Sequence, residues 1–339
     1  VQKLRKRLPS RKQRKEVEKR AGSRILEVRG LSAFFYLNRK IIKAVDQVSM
    51  YIDEGETVGL AGESGCGKST LASAMMQLIP YPGRIVSGEI LFRGQKLVER
   101  GEKVLRDVRG NRLSLIFQDP SSYLNPTVSI GTQICDVIMA HNPVEKKTAK
   151  RKTVELLGSL GIPEPAHRFH SYPHELSGGM KQRVLIAMAI SCDPDLVIAD
   201  EPTTALDVTI QRQILELIKE KVIGKGSALL FITHDLSILA EICDRIYTMY
   251  AGRVVETART VEFFHNPLHP YTRKLLSAIP RHDIKKTLAE IPGSPPSLDD
   301  LPPGCSFYPR CDLRSERCLK EIPELRELRT KHWVSCHNV

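Results

Sequence analysis

Eight consecutive residues, Gly62-Glu63-Ser64-Gly65-Cys66-Gly67-Lys68-Ser69, have the types and spacing to wrap a polyphosphate. They fit G-x-x-x-x-G-K-[ST], in which glycines let the backbone curl until its N–H groups surround phosphate oxygens. Lys68 is spaced to reach the β and γ phosphates, and the Ser69 hydroxyl, followed by Thr70, to ligate Mg²⁺. Cys66 fits the loop as a small residue rather than as a catalytic thiol. Farther along, Leu196-Val197-Ile198-Ala199-Asp200-Glu201 is an apolar run that delivers two carboxylates at its end. Asp200 suits a Mg²⁺ shell, because a hard cation takes oxygen ligands. Glu201 then faces an attacking water and is assigned as the general base. A third group, Leu176-Ser177-Gly178-Gly179-Met180-Lys181-Gln182-Arg183, sets a hydroxyl and two glycine amides at a helix start. That is a local N-cap and also a second anion site suited to a γ-phosphate.

These groups need elements to hold them. Thr57 to Ala61 is a compact apolar strand ending at Gly62, and Leu71 to Leu78 follows with helical spacing, which gives strand, Gly-rich loop, helix. Further strands are expected at 90–93, 113–118, 196–200, 228–233 and 245–249, with helices at 129–140, 147–159, 179–191 and 209–223. This alternation predicts an α/β fold of the phosphate-loop NTPase kind. Residues 121–184 are mostly helical and polar and read as a helical subdomain inserted into it. Beyond about residue 265, eight prolines between Pro267 and Pro303 interrupt regular structure. The expected division is a basic tail over 1–24, a nucleotide-binding domain over 25–265 and a small Pro- and Cys-rich extension over 266–339. No fixed-period repeat is present, which excludes a solenoid.

A hydrophobic content of 41% with 27% charged residues is that of an ordinary globular protein. No run approaches the roughly 18 apolar residues of a spanning helix, so the sequence predicts a peripheral chain. The basic opening from Lys3 to Arg24 leads into no apolar segment of the secretory kind, which predicts a cytosolic location. Of the net charge of +12, residues 1–24 carry +9 and the rest only +3. A solvated, disordered tail is the first expectation, and contact with anionic lipid or a membrane partner the second. Nucleic acid is the least favoured partner, since nothing aromatic is interleaved to stack on bases.

The stretch from Leu176 to Arg183 closely resembles the signature motif of the ABC (ATP-binding cassette) ATPases. That resemblance implies a dimer in which each ATP is pressed between the phosphate loop of one subunit and the signature of the other. Binding closes the pair and hydrolysis releases it. The resemblance also implies roles for residues that alone would say little. Gln118 matches the Q-loop glutamine that senses Mg²⁺ and water, and His234 in Ile232-Thr233-His234-Asp235 matches the switch histidine at the γ-phosphate. Ala205-Leu206-Asp207 resembles the loop that links the two sites at the dimer interface. The family stacks adenine on an aromatic side chain upstream of the phosphate loop, and among Phe34, Phe35 and Tyr36 the assignment is Phe35.

Cys305, Cys311, Cys318 and Cys336 crowd the last 35 residues, whereas Cys66, Cys135, Cys192 and Cys243 are scattered. A reducing cytosol disfavours disulfides, and C-x₅-C-x₆-C-x₁₇-C departs from the usual C-x₂-C zinc pattern. Spacing alone leaves the metal undecided. His269-Pro270-Tyr271-Thr272-Arg273, Ile291-Pro292-Gly293-Ser294-Pro295-Pro296, Pro303-Gly304-Cys305 and Pro309-Arg310-Cys311 resemble the C-terminal extension of the oligopeptide/dipeptide importer ATPases. The likeness runs from about residue 25 onward. It implies a [4Fe-4S] cluster on the four cysteines, bracing a Pro-rich domain too small to fold by its own core; zinc and metal-free thiols stay open.

The same resemblance implies an ATPase at the cytoplasmic face of a membrane, with two permease subunits, an extracytoplasmic solute-binding protein and a second ABC ATPase, identical or related. Peptides are the expected cargo, with oligosaccharide or nickel as alternatives. A soluble ABC ATPase acting on nucleic acid would carry two cassettes or coiled-coil insertions, and this sequence has neither. A regulatory module without turnover is disfavoured by Glu201 and His234.

Overall fold

The computed structural model describes residues 23–38, 40–98, 100–204, 206–278 and 291–339. The basic tail, apart from Ser23 and Arg24, lies outside the described residues, as does Ala205. Twelve strands are described. They are β1 (Arg24–Leu37), β2 (Lys40–Asp53), β3 (Thr57–Ala61), β4 (Gly83–Phe92), β5 (Gln95–Lys96), β6 (Leu113–Ile116), β7 (Leu196–Asp200), β8 (Ala228–Ile232), β9 (Arg245–Tyr250), β10 (Arg253–Arg259), β11 (Arg326–Arg329) and β12 (His332–Val334). One sheet of four runs β2-β1-β4-β5, and one of eight runs β11-β12-β10-β9-β3-β8-β7-β6.

In the larger sheet, β6, β7, β8, β3 and β9 are mutually parallel. Every residue of β3, β7 and β8 is buried, because parallel strands here carry packing on both faces. Their uninterrupted apolar runs follow from that burial. One core lies between the two sheets and joins Leu26, Val28, Leu60, Leu71 and Leu230. A second joins the other face to the helices Ile130–His141, Lys146–Ser159 and Gly178–Ile190 through Ile134, Leu157 and Ile186. Parallel strands present their carboxyl ends on one side of a sheet, and that side is where ligands bind in open α/β folds. The phosphate loop follows β3, Gln118 follows β6, Glu201 follows β7 and His234 follows β8, so topology alone gathers them.

The predicted strands and helices are found within a residue or three of their expected bounds, except that β4 starts earlier, at Gly83. The sequence reading did not foresee β1, β2, β5 or β10–β12. The β1–β2 pairing shifts register repeatedly, at Val28/Leu31, Leu31/Ala33 and Ala33/Phe35 among others, and each shift interrupts the alternation that marks a strand. β11 is exposed at all four positions and shows no alternation at all.

The extension adds strands to the main sheet. β12 pairs with β10 through Glu256↔Val334 and Thr257↔Trp333, and β11 continues outward from it. Glu256 anchors this junction although it is wholly buried. Its carboxylate accepts from the Leu268 and His269 backbone N–H groups at 2.7 and 2.9 Å and meets His332 Nε2 at 2.7 Å. Burial alone would raise this carboxyl, but the hydrogen bonds, His332 foremost, outweigh it and hold it below the ordinary value. Among the described residues no helix is long and apolar enough to cross a membrane.

Candidate active site

The phosphate loop curls where only glycine fits. At Gly67, with φ of 105°, an added Cβ would overlap the carbonyl oxygen of Ala44, and at Gly62 it would overlap that of Met249. The helix Lys68–Met75 begins immediately after, and its first N–H groups, on Lys68, Ser69 and Thr70, have no acceptor within the helix. They add to the favourable dipole at this end. Ser64, Gly65 and Ser69 are exposed, so the cradle opens to solvent. Lys68 is buried, and its ammonium donates to the carbonyls of Gly62 at 2.9 Å and Glu63 at 3.0 Å. Cys66 is buried beside it, and burial pushes its thiol above the ordinary value. It therefore packs as a small apolar residue, as its sequence position implied.

Asp200 is also buried, and its Oδ1 has no hydrogen-bond partner among the described residues. Burial raises its carboxyl, and a hydrogen bond from Ser69 opposes the rise only in part. A buried carboxylate with a free oxygen beside a serine hydroxyl is a donor set that fits Mg²⁺.

Glu201 is the meeting point. Its Oε2 accepts from Gln118 Nε2 at 3.3 Å and from Thr204 Oγ1 at 2.9 Å, and His234 Nδ1 lies 3.4 Å away. Its Oε1 is 3.9 Å from Lys68 Nζ. The backbone of Glu201 adopts φ of 44°, in the left-handed region, a conformation that costs a residue with a side chain and is common at functional positions. The structure thus brings Lys68, Gln118, Glu201 and His234 together, with Asp200 and Ser69 as a second pair. Thr204 was not foreseen; three residues after Glu201, it has no signal beyond a hydroxyl within reach.

Other expected site residues lie apart from this group. Ser177 caps the helix Gly178–Ile190, accepting from the Met180 N–H at 3.4 Å, and Ser177 and Gly178 are exposed. Asp207 caps the helix Val208–Lys221 by accepting from the Thr209 and Ile210 N–H groups, both at 3.0 Å. Gly179 packs against Ile210, so signature and cap meet at one surface. Among the described residues no hydrogen bond joins Ser177, Gly178 or Gly179 to the phosphate loop. The ring of Phe35 lies over Gly83 in β4, and Tyr36 stacks under the Arg84 guanidinium, 4.3 Å from its centroid.

Glu63, a residue of the phosphate loop, also reaches beyond it. Its carboxylate pairs with Arg310, at 2.7 and 3.0 Å, and its N–H donates to the Tyr271 hydroxyl at 2.9 Å. Both partners belong to the extension, and no local spacing marks them as neighbours of the loop.

The four clustered cysteines converge. Cys305, Cys311, Cys318 and Cys336 line one small, largely enclosed cavity with His269, Phe307 and Asn338. Burial pushes the Cys305 thiol up to about 11 and raises Cys311 and Cys336 as well. Donors nevertheless point at the sulfurs, with the N–H of Phe307 on Cys305, of Leu313 on Cys311 and of Asn338 on Cys336. Cys318 Sγ meets Ser315 Oγ at 3.3 Å and the Asn338 amide at 3.4 Å. Four sulfurs with donors aimed at them fit a soft metal held as thiolates. Among the described residues, however, no three His, Cys, Asp or Glu side chains form a set ready to hold a metal ion.

A family model described as "ABC transporter" matches residues 45–204, and one described as "Oligopeptide/dipeptide transporter, C-terminal region" matches residues 255–318. The chain is 47% identical over 314 residues to the dipeptide transport ATP-binding protein DppD of Escherichia coli, covering 92% of this chain and 96% of that one. It is 45% identical over 315 residues to the oligopeptide transport ATP-binding protein OppD of Bacillus subtilis, covering 92% and 88%. A solved ATP-binding cassette, dimeric in a post-hydrolysis state with ADP and Pi, superposes with a TM-score of 0.63 at 25% identity, covering 69% of this chain and 98% of that one.

Proposed function

This chain belongs to the ABC transporter family of ATP-binding proteins, in the branch that carries the oligopeptide/dipeptide transporter C-terminal region, and we propose that it hydrolyses ATP to power the import of peptides. The observation that carries this reading is the convergence of Gln118, Thr204 and His234 on Glu201 beside Lys68. ATP is the substrate, and Asp200 and Ser69 would hold the Mg²⁺ that neutralises its phosphates. Glu201 orients a water and takes its proton as the water oxygen bonds to the γ-phosphorus; the bond to the bridging oxygen breaks and ADP leaves. Gln118 and His234 hold Glu201 and the phosphoryl oxygens in line. Lys68 leaves its two loop carbonyls for the β and γ phosphates, and Phe35 stacks on the adenine.

The exposed Ser177, Gly178 and Asp207 support a dimer in which the signature amides of one chain, Gly179 included, complete the anion site of the other. The partners we assign are a second ABC ATPase, identical or related, two permease subunits and an extracytoplasmic solute-binding protein. The chain then sits peripherally on the cytoplasmic face of the membrane. We divide it into a cassette over 25–265, with its helical subdomain over 121–184, and an extension over 266–339. Cys305, Cys311, Cys318 and Cys336 would hold a [4Fe-4S] cluster, which when bound ties the loops of the extension together.

The decisive experiment reconstitutes the native complex in liposomes and measures ATPase activity against peptides, oligosaccharides and nickel. Peptide-specific stimulation is expected; stimulation by either alternative alone would refute the peptide assignment. Iron and sulfide analysis of anaerobically purified protein tests the cluster, and a preparation containing zinc or no metal would refute it.

A further inference from the structure

The phosphate loop is held from outside its own domain. Glu63, its second residue, directs its carboxylate and its N–H to the extension, to Arg310 and Tyr271. Its carbonyl accepts from Lys68 Nζ at 3.0 Å. One loop residue therefore links the phosphate-binding ammonium to side chains more than 200 positions downstream.

Arg310 is fixed from every side. Its guanidinium is only 4% exposed. Nε donates to the Pro292 carbonyl at 3.1 Å, and further contacts at 3.4 Å reach the Ile291 carbonyl and the Tyr250 hydroxyl. Its own carbonyl accepts from Lys274 Nζ at 2.8 Å. It ends the short turn Tyr308–Arg310, between Cys305 and Cys311, so the segment that carries two of the cavity-lining thiols also carries the arginine. Tyr271 is wholly buried against Tyr250 and Phe307, with ring centroids 4.6 and 5.4 Å away. A two-pronged arginine–carboxylate pair specifies orientation as well as attraction, and a buried guanidinium deprived of its partner is strongly unfavourable. Neither Arg310 nor Tyr271 contacts Glu201, Gln118 or His234, so their influence is on the loop and not on the attacking water.

We propose that Arg310 and Tyr271 are positioning residues for nucleotide binding: the extension clamps Glu63 so that the phosphate loop is curled for phosphate before nucleotide arrives. Without the clamp, Glu63 and the loop sample other conformations, and nucleotide must select the competent one. Apparent affinity then falls by the fraction of molecules that are competent, while turnover once bound is unchanged.

This inference rests on the cassette being an ATP-binding one, and the test separates the two. Full-length chains are titrated with a fluorescent ADP, and KM and kcat for ATP are measured on the same preparations. Arg310→Ala is expected to weaken ADP binding on the order of tenfold and to raise KM alike, with kcat within about twofold, the signature of lost ground-state binding. Arg310→Lys recovers part of the loss, and Tyr271→Phe weakens binding by a smaller factor. Glu63→Ala, a change at a partly buried loop position, weakens binding as Arg310→Ala does, and the double variant is no worse than either single one. Thermal melts with and without ADP separate loss of fold from loss of grip. Wild-type affinity in Glu63→Ala, or simple additivity in the double variant, would overturn the clamp. A wild-type chain that binds no ADP would instead overturn the ATPase reading beneath it.

Discussion

Glu201 holds a left-handed backbone conformation that costs about 1–3 kcal/mol for a residue with a side chain, and it does so where Gln118, Thr204 and His234 converge. That strain is tolerable because the carboxylate is over-determined by its neighbours. Glu201→Gln keeps the shape and removes the carboxylate proposed as general base; single-turnover assays are expected to show the hydrolysis step slowed about 10²–10⁴-fold with ATP binding retained. Gly67 makes the opposite kind of demand, since a methyl there meets the Ala44 carbonyl. Gly67→Ala is expected to abolish ADP binding by titration and to lower stability by about 1–3 kcal/mol in urea unfolding. The proximity of Lys68 to Glu201 and of Ser69 to Asp200 was legible in the sequence because it follows from spacing along a strand, loop and helix. Thr204 was not, because its role is one hydrogen bond. Arg310 and Tyr271 stood out only through the family resemblance, since separations of 247 and 208 residues from Glu63 leave no local pattern.

Among elements, the buried parallel strands were legible through their continuous apolar runs, and the helices through period and capping residues. Strands whose register slips, such as β1 and β2, or whose faces are all exposed, such as β11, carried no such pattern. The β10–β12 junction shows what that hides, because the Glu256 carboxylate buried there accepts from two backbone N–H groups and meets His332. A carboxyl whose folded value lies below its unfolded one contributes stability that is fully present above the unfolded value, near 4.5, and is lost as pH falls through the folded one. Glu256→Gln is therefore expected to cost about 1.5–3 kcal/mol at pH 7, the weight of hydrogen bonds to a charged group, and less at pH 4. Urea unfolding at the two pH values checks both the size and the sign of the change.

At the scale of the whole molecule, three of the contacts that join the extension to the cassette among the described residues are the β10–β12 edge, the Lys40–Asp299 pair at 2.5 Å and the Arg310–Glu63 clamp. A chain ending at residue 265 loses all three and leaves β10 as an unpaired edge next to β9. Such an edge invites pairing with another chain. The truncated chain is expected to aggregate at concentrations where the full chain stays dispersed, as light scattering would register. Composition and proline density are the grounds for placing the extension from residue 266, but its strand addition to the main sheet was not legible, because three-residue β12 is too short to show a period.

The β10–β12 pairing also sets an order of events during synthesis. β12 leaves the ribosome well after β10, so the emerging cassette waits with an open flank until the distant segment arrives. A chain released before β12 is made therefore keeps the outer edge of β10 bare, and a bare edge is a template for another chain.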